Sequence, residues 1–416
     1  MGNVLAERNF RAFYVGYVTS LLGTSMSSVA IAWAVLQSTS SPTALGTVMA
    51  AGVVPQVLLM TFAGAIADRF GRRRIMLGAD VLRCGAQAAL ALAVFAGRPP
   101  LWLFLLLAWL RGSGDAFFTP SLAALTVEIS PANQLGNANS LFGLARSATM
   151  IAGPSLSGVL VAFTGPALVI AVDAATYAVS VVALTVLKLP PVPKSEVRGP
   201  RVLLRDMADG WADYRSRTWL WVTSLQWAFF NLLTWAPWMV LGPVQGRSYL
   251  GGSAVWGAIM AAQGAGAIAG GLLCLGRRPK RPVVLATAAM FGYAAPDIPM
   301  ALHAAAPWVA IAAFLCGAGS AMSSAFLGTA EQQQIPADRL ARVSALSMFS
   351  AYGVGVIGYG IDGPLGTALG VPAVFAIGAG YGFVSSAIVL SLPSVRAVRW
   401  RDREPEPAAP ARIDTV

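Results

Sequence analysis

Two charged residues, Arg111 and Asp115, stand in the middle of a stretch that is otherwise almost wholly apolar. With Thr119 they are spaced i, i+4 and i+8, so a helix places all three on one face. A helix that starts near residue 101 puts Arg111 about 15 Å along its axis. A charge at the centre of a membrane helix costs about 2.5–3.5 kcal/mol on insertion scales, which disfavours an unpaired, lipid-facing position. Either the pair couples to protons, the interpretation we favour, or it is a static ion pair that holds helices together.

Other acidic residues also fall in apolar stretches. Asp80 and Arg83 are spaced i, i+3 on one predicted helix, and we interpret them as a structural ion pair. Asp173, Asp297 and Asp362 lie nearer the ends of their stretches. We expect water or lipid headgroups to reach these three, and we assign them no role.

The amino-acid composition indicates that the helices carrying these residues span a membrane. Hydrophobic residues make up 56% of the 416-residue chain, charged residues only 11%, and the mean hydropathy is +0.66. A soluble domain carries roughly 25% charged residues. Because each span needs about 20 apolar residues, we predict twelve transmembrane helices. They cover 10–37, 43–66, 75–97, 101–127, 138–163, 166–188, 218–243, 252–276, 282–303, 307–330, 342–366 and 371–393.

The net charge of +11 follows from arginines and lysines that collect in alternate loops. This bias is the positive-inside rule, and it predicts a multi-pass protein of the inner (plasma) membrane with both termini in the cytoplasm. Anionic lipid headgroups are the expected partners of this charge, and nucleic acid is not. The three cysteines are scattered through apolar stretches, so we expect no disulfide and no metal site.

The chain divides into two similar halves. Residues 1–189 form the first six-helix bundle, 190–217 a cytoplasmic linker with an amphipathic helix, 218–395 the second bundle, and 396–416 a disordered tail. Gly71-Arg72-Arg73 recurs as Gly276-Arg277-Arg278, and Gly158 recurs as Gly363 at the same offset. We therefore predict an all-α membrane protein of two pseudo-symmetric six-helix bundles, and a monomer.

A glycine-acid-arginine pattern fills the basic loop between the second and third predicted spans, from Gly64 through Asp68, Gly71 and Arg72. Gly71 suits a turn, and the arginines suit anchoring to anionic headgroups. The pattern resembles motif A of the major facilitator superfamily, and the two-repeat layout extends this resemblance over the whole chain. The resemblance implies a conformational lock that involves Asp68 and Arg72, with Glu128 as a charge partner.

The fifth predicted span carries Gly153, Pro154 and Gly158, and it is similar to motif C, which occurs mainly in exporters of that superfamily. Glycine and proline in a membrane helix allow a bend and the close approach of a neighbouring helix. Arg111 is similar to the arginine of motif B, which the resemblance links to proton coupling. The chain also resembles the branch of drug and macrolide efflux proteins and siderophore exporters, at Asn9-Phe10-Arg11, at Asp80-Val81-Leu82-Arg83 and at Ala116-Phe117-Phe118-Thr119-Pro120. Uptake by the same fold is the alternative.

Spans one, four, seven and ten line the central cavity in this superfamily. By that resemblance we predict substrate contacts at polar and aromatic positions of these spans: Ser20, Thr24, Ser27, Phe118, Trp227, Asn231, Trp235, Ser320, Ser323 and Ser324. Aromatic rings and a few hydroxyls suit a bulky, partly apolar solute. The alternative is that these side chains serve helix packing and interface anchoring.

The predicted function is export of a drug-like or natural-product small molecule by alternating access, with protons as the exchanged ion. No phosphate-binding loop of the GxxxxGK[S/T] type occurs, so we expect no nucleotide cofactor. A membrane-embedded lipid-modifying enzyme is the rival from another class. Such an enzyme needs a cluster of acids, histidines or a metal at one interface, and the only histidine, His303, argues against it.

Overall fold

The computed structural model describes residues 4–131, 134–187, 211–336, 339, 343, 346–347 and 354–400. The side chains of Met60, Thr61, Gly64, Ala65, Asp68, Ala123 and Ala124 lie outside this description. Helices account for all the regular structure in the described residues. This agrees with the predicted fold class.

The first half consists of six long helices. They are α1 (Arg8–Thr39), α2 (Pro42–Phe70), α3 (Arg72–Phe95), α4 (Leu101–Ile129), α5 (Leu135–Thr164) and α6 (Pro166–Val186). The connections between these helices are short, and they contain residues that favour helix N-termini. Ser41 caps α2 by accepting a hydrogen bond from the backbone N–H of Ala44, and Pro42 and Pro166 occupy first-turn positions where a missing N–H costs nothing.

The second half repeats this layout with more interruptions. Its helices are α7 (Thr218–Phe230), α8 (Ala236–Gln245), α9 (Ser253–Cys274), α10 (Pro282–Tyr293), α11 (Asp297–Ala301), α12 (Ala306–Gln334), α13 (Gly355–Leu369), α14 (Val371–Ser391) and α15 (Pro393–Ala397). Ten helical segments of the described chain are long and apolar enough to cross a membrane. The predicted seventh span corresponds to α7 and α8 together, and the predicted eleventh span corresponds to α13.

Two sequence-based expectations need correction here. The seventh span is not a plain α-helix, because a π-helical turn over Asn231–Trp235 separates α7 from α8. The tail is not disordered from residue 396, because α15 and the residues up to Trp400 pack on the second half. Val398 is buried, and the backbone N–H of Trp400 donates to the carbonyl of Lys280. The predicted linker helix lies outside the described residues except for a helical turn at 211–216.

The two halves meet through a symmetric pair of interfaces, α2 against α13 and α5 against α9. These helices correspond to one another in the sequence repeat. A Cβ at Gly158 would lie 2.8 Å from the Cα of Gly257 on α9, and a Cβ at Gly363 would collide with the backbone of Thr43 on α2. The repeated glycine therefore allows close helix approach at both interfaces, on the membrane side opposite the arginine-rich loops.

Toward the arginine-rich side, α5 and α9 diverge. A Cβ at Gly264 would lie 3.0 Å from the Cα of Ile151, whereas a Cβ at Gly143 or at Gly271, two turns further along each helix, would meet none of the described residues within 4 Å. On the opposite side, the guanidinium of Arg247 from the second half donates to the carbonyl of Leu36 from the first. The halves are thus closed on the side opposite the arginine-rich loops and separate toward the arginine-rich side.

Candidate functional site

A buried ion-pair network joins α3 to α4 within the first half. Arg83 of α3 pairs with Asp80 one turn earlier, and its second terminal nitrogen lies 2.9 Å from Oδ1 of Asp115 on α4. Asp80 is fully buried, and its other oxygen accepts a 2.6 Å hydrogen bond from the hydroxyl of Ser180 on α6. The predicted Asp80–Arg83 pair is therefore present, and it extends to Asp115, which we had placed in a separate pair.

Arg111 joins this network from the same helix as Asp115. Its Nη1 lies 3.7 Å from Oδ2 of Asp115, which also accepts a 3.2 Å hydrogen bond from the amide of Gln56 on α2. Thr119 is not part of the network, because it is exposed and its hydroxyl donates to the carbonyl of Asp115 one turn earlier. Arg111 and Asp115 are thus brought together as predicted, with partners from two further helices.

The guanidinium of Arg83 lies between two aromatic rings. Its Cζ is 4.2 Å from the ring centroid of Phe118 and 4.6 Å from that of Tyr177. Each ring can stabilise the cation through its negative face, and this effect grows when water is excluded. The hydroxyl of Tyr177 lies 2.8 Å from that of Thr24, so α1 is also tied to this network.

A third buried acid, Asp173 of α6, lies beside the same network. The amide of Gln87 on α3 donates to Oδ2 of Asp173 and also contacts the hydroxyl of Ser27 on α1 at 2.6 Å. Asp173 is fully buried, and its Oδ1 has no hydrogen-bond partner among the described residues. The expectation that water or headgroups reach Asp173, Asp297 and Asp362 was wrong, because all three side chains are at most 2% exposed.

These contacts revise the predicted substrate contacts in the first half. Ser20, Ser27 and Phe118 are buried. Thr24 bonds to Tyr177, Ser27 to Gln87, and Phe118 packs under Arg83. In this conformation Thr24, Ser27 and Phe118 surround the charged network instead of facing an open cavity, because helix α1 turns its polar stripe toward α3 and α6.

In the second half, three predicted cavity residues lie on or beside the π-helical turn. Trp227 and Trp235 are half-buried and lie 5.5 Å and 6.0 Å from the ring of Tyr293, measured between centroids, and Phe230 stacks on the same ring at 4.5 Å. Asn231 is buried, and its amide donates to the carbonyl of Trp227. The result is an aromatic cluster centred on Tyr293, which the sequence analysis did not single out.

The three serines of α12 point in different directions. Ser323 is buried and lines a small cavity that Trp227 also lines. Ser324 is exposed, and the hydroxyl of Ser320 donates to the carbonyl of Gly317 within its own helix. The structure therefore brings Ser323 and Trp227 together and leaves Ser324 on a different face.

The motif A loop lies at the arginine-rich ends of α2, α3 and α4. Arg72 forms an ion pair with Glu128, and Gly71 adopts a φ of +91°, which favours glycine over other residues. The side chains of Gly64 and Asp68 lie outside the described residues. Arg73 does not simply face headgroups, because it donates to the carbonyls of Leu184 and Thr185 at the end of α6. The role of this loop as a lock stays a prediction.

The glycines of motif C act in helix packing, as their chemistry predicts. A Cβ at Gly153 would collide with Ser25 of α1, and the carbonyl of Pro154 lies within 2.6 Å of the position that a Cβ at Gly257 would take. With Gly158, these residues let α5 approach one helix of its own half and one of the other half. The expected close approach is confirmed, and the link to export stays a prediction.

The comparisons with known proteins agree with this architecture. The family model of the Major Facilitator Superfamily matches residues 13–359. Macrolide efflux protein A of Streptococcus pyogenes is 26% identical over 291 residues, which cover 68% of this chain and 70% of that protein. The multidrug efflux pump Tap of Mycolicibacterium fortuitum is 32% identical over 179 residues, which cover 41% of this chain and 43% of the pump.

Solved structures with low sequence identity share the fold. An auto-inhibited POT family peptide transporter superposes with a TM-score of 0.73 at 13% identity, covering 97% of this chain and 99% of that chain. A D-xylose–proton symporter superposes with a TM-score of 0.65 at 13% identity, covering 94% and 98%. At such identities these structures show the fold alone.

Proposed function

The chain belongs to the major facilitator superfamily, and from this premise we propose that it exports bulky, partly apolar small molecules such as macrolides in exchange for protons. It is a multi-pass membrane transporter and not an enzyme. The names of its relatives, a macrolide efflux protein and a multidrug efflux pump, support export and this class of substrate.

The observation that carries the proton-coupling proposal is the buried network around Asp115. Its carboxylate is shared by Arg83 at 2.9 Å, Gln56 at 3.2 Å and Arg111 at 3.7 Å, so it joins α2, α3 and α4. Burial makes each of these charges costly unless it is paired, and charged groups inside membrane proteins therefore mark ion or proton paths. Adding or removing one proton there changes the pairing between three helices at once.

The aromatic cluster of the second half supports the substrate class. Trp227 and Trp235 are half-buried rings that pack on the buried ring of Tyr293, and the side chains of Ser323 and Asn231 place polar groups nearby. Such a combination binds a bulky solute mainly through ring contacts and orients it with few hydrogen bonds. A π-helical turn at this place on α7 and α8 is also typical of functional positions in helices.

The positive-inside rule places the arginine-rich loops, and with them both termini, in the cytoplasm. The conformation with its halves apart on that side is then the inward-facing state, which takes up substrate from the cytoplasm. In the outward-facing state, α5 and α9 have to approach each other at Gly143 and Gly271. The Arg72–Glu128 ion pair lies at the same side of the membrane, and we propose that motif A locks the halves there.

Transport into everted membrane vesicles tests this proposal. We expect respiration, which acidifies the vesicle lumen, to drive accumulation of radiolabelled erythromycin, and nigericin to abolish it by collapsing the pH gradient. The Asp115→Asn variant should lose this accumulation, because its neutral amide cannot form the ion pairs with Arg83 and Arg111 through which a change in protonation acts on three helices. The matched Asp213→Asn variant, which changes a carboxylate in the linker turn, should keep it. Accumulation that survives nigericin, or that is unchanged in Asp115→Asn, contradicts proton coupling through Asp115.

A further inference from the structure

The buried network of the first half contains more acids than cations. Among the described residues it comprises the arginines Arg83 and Arg111 and the aspartates Asp80, Asp115 and Asp173. With every group ionised, the network would carry one uncompensated negative charge in the membrane interior. An unpaired charge in the membrane interior is costly, and charged groups there are almost always paired. One bound proton removes this cost.

The contacts show which of the three aspartates lacks an ion-pair partner within hydrogen-bond distance. Asp80 uses both oxygens, one toward Arg83 and the other toward Ser180. Asp115 also uses both, toward Arg83 on one side and toward Gln56 and Arg111 on the other. Asp173 has only neutral hydrogen-bond donors, the amide of Gln87 and the hydroxyl of Ser27, and its Oδ1 has no partner in the described part of the chain. A protonated carboxyl fits this environment best, because it needs no cation.

We propose that Asp173 is the residue at which this transporter binds its exchangeable proton. The inference rests on the proposed proton-coupled export and assigns its proton to a position on α6, outside the Arg111–Asp115 pair. Oδ1 is the binding atom: protonation forms an O–H bond there and neutralises the network. Release of the proton restores the surplus negative charge.

Arg111 can transmit the change between Asp173 and Asp115. It interacts electrostatically with both acids and donates to the hydroxyl of Tyr177, one turn from Asp173. Its Nη1 is 3.7 Å from Asp115, beyond hydrogen-bond distance, and its Nε has no partner within the described structure. When Asp173 loses its proton, Arg111 is drawn toward it, and Asp115 keeps Arg83 and Gln56. Deprotonation thus shifts α4 relative to α6.

Each helix packed against Asp173 contributes a defined set of charged and titratable groups. Helix α3 contributes Asp80, Arg83 and the thiol of Cys84, whose Sγ donates to the carbonyl of Ala174. Helix α4 contributes Arg111 and Asp115, and α6 itself contributes Tyr177. Helix α1 faces Asp173 with hydroxyls, and the one charged residue of α5, Arg146, is exposed and interacts with Tyr17. No cation beyond Arg83 and Arg111 is thus identified near Asp173 in the described residues.

Infrared spectroscopy of the purified protein in lipid vesicles tests the proton site without any substrate. We expect the wild type to show a carboxylic-acid C=O band that disappears as the pH rises. Asp173→Asn should lose this titrating band. Asp297→Asn, the same change at a buried aspartate of the second half that also lacks a cation among the described residues, should remove only its own C=O band and leave the band of Asp173 in place. A titrating band of unchanged amplitude in Asp173→Asn would overturn the proposal.

Transport measurements separate this inference from the proposed function. Asp173→Asn should still exchange erythromycin across the membrane without a gradient, but a pH gradient should no longer drive accumulation. Full pH-driven accumulation in this variant would overturn the inference and leave proton-coupled export intact. If the wild type accumulates no erythromycin at all, the proposed function fails for that substrate, and the infrared result alone decides whether Asp173 binds a proton.

The variant is expected to fold, because two arginines and two aspartates remain and no ion pair is removed. Should Asp173→Asn nevertheless aggregate, Asp173→Glu provides the decisive measurement. Glutamate keeps a carboxyl but displaces it by one methylene, so the titrating C=O band should move in frequency. A band that does not move would assign the proton to another residue and contradict the proposal.

Discussion

Replacing Arg83 by glutamine is the most direct perturbation of the buried network. The substitution leaves Asp80 with the hydroxyl of Ser180 as its remaining donor, and Asp115 with the amide of Gln56 and the more distant Arg111. It also removes the cation that lies against the rings of Phe118 and Tyr177. The variant therefore exposes how much the network depends on one guanidinium.

The size of the effect follows from burial. The side chain of Arg83 is 6% exposed and that of Asp80 is not exposed at all. Removing one partner of a buried ion pair typically costs about 3–5 kcal/mol, since the other charge stays buried without compensation. The surface pair Arg339–Asp213, in which Arg339 is 54% exposed, provides the comparison. There Arg339→Gln should cost about 0–1 kcal/mol.

Reversible unfolding in mixed detergent micelles measures both variants. The double variant Asp80→Asn/Arg83→Gln should recover about 1–3 kcal/mol relative to Arg83→Gln alone, because it no longer buries an isolated carboxylate and the new amide still accepts from Ser180. If Arg83→Gln costs no more than Arg339→Gln, or if the double variant recovers nothing, the reasoning about the buried network is wrong.

Three further predictions concern other parts of the molecule. Gly158→Leu should prevent closure between α5 and α9, because even a Cβ at this position lies 2.5 Å from the carbonyl oxygen of Ser253. A cysteine placed in the loop before α9 should then react with a thiol label several-fold faster than the same cysteine in the protein that keeps Gly158. Glu128→Gln should change stability by at most about 1 kcal/mol, since its pair with Arg72 is partly exposed, yet should slow erythromycin export if the motif A loop locks the halves. Tyr293→Leu should raise the KM for erythromycin and leave the pH dependence unchanged, because Tyr293 is the centre of the aromatic cluster and lies in the other half from Asp115.

Much of the fold could be predicted because a bilayer leaves few choices. Apolar stretches of span length have to be helices, since no water is available for free backbone groups. The repeated Gly158 and Gly363 indicated which helices correspond, and both positions lie at interfaces between the halves. The π-helical turn at Asn231–Trp235 was not predictable, because it inserts one residue per turn without changing the apolar character of the segment.

The charged site was predicted only in part, since spacing along one helix does not show which helix it faces. Arg111 and Asp115 were paired correctly from their i, i+4 spacing, but the contact of Asp115 with Arg83 comes from another helix. A signal for the rest was present in α3, where Asp80, Arg83 and Gln87 are spaced i, i+3 and i+7 on one face. Position near the end of a span was a poor guide to exposure for Asp173, because α1 and α3 cover it.

The two halves share a helix layout but differ in the charged groups that they bury. No lysine or arginine occurs between Arg281 and Arg339 or between residues 218 and 246, so the described membrane helices of the second half contain acids but no cation to pair with them. Two arginines and three aspartates lie together in the first half. The aromatic cluster around Tyr293 lies in the second half, and the first half has a separate ring cluster around Phe142. On the proposed function, a proton that changes pairing in the first half can therefore affect a substrate held by the second half only by moving the halves relative to each other. On the proposed function, coupling depends on the glycine interfaces of α2 with α13 and of α5 with α9. Variants there should uncouple proton binding from transport while leaving each site intact.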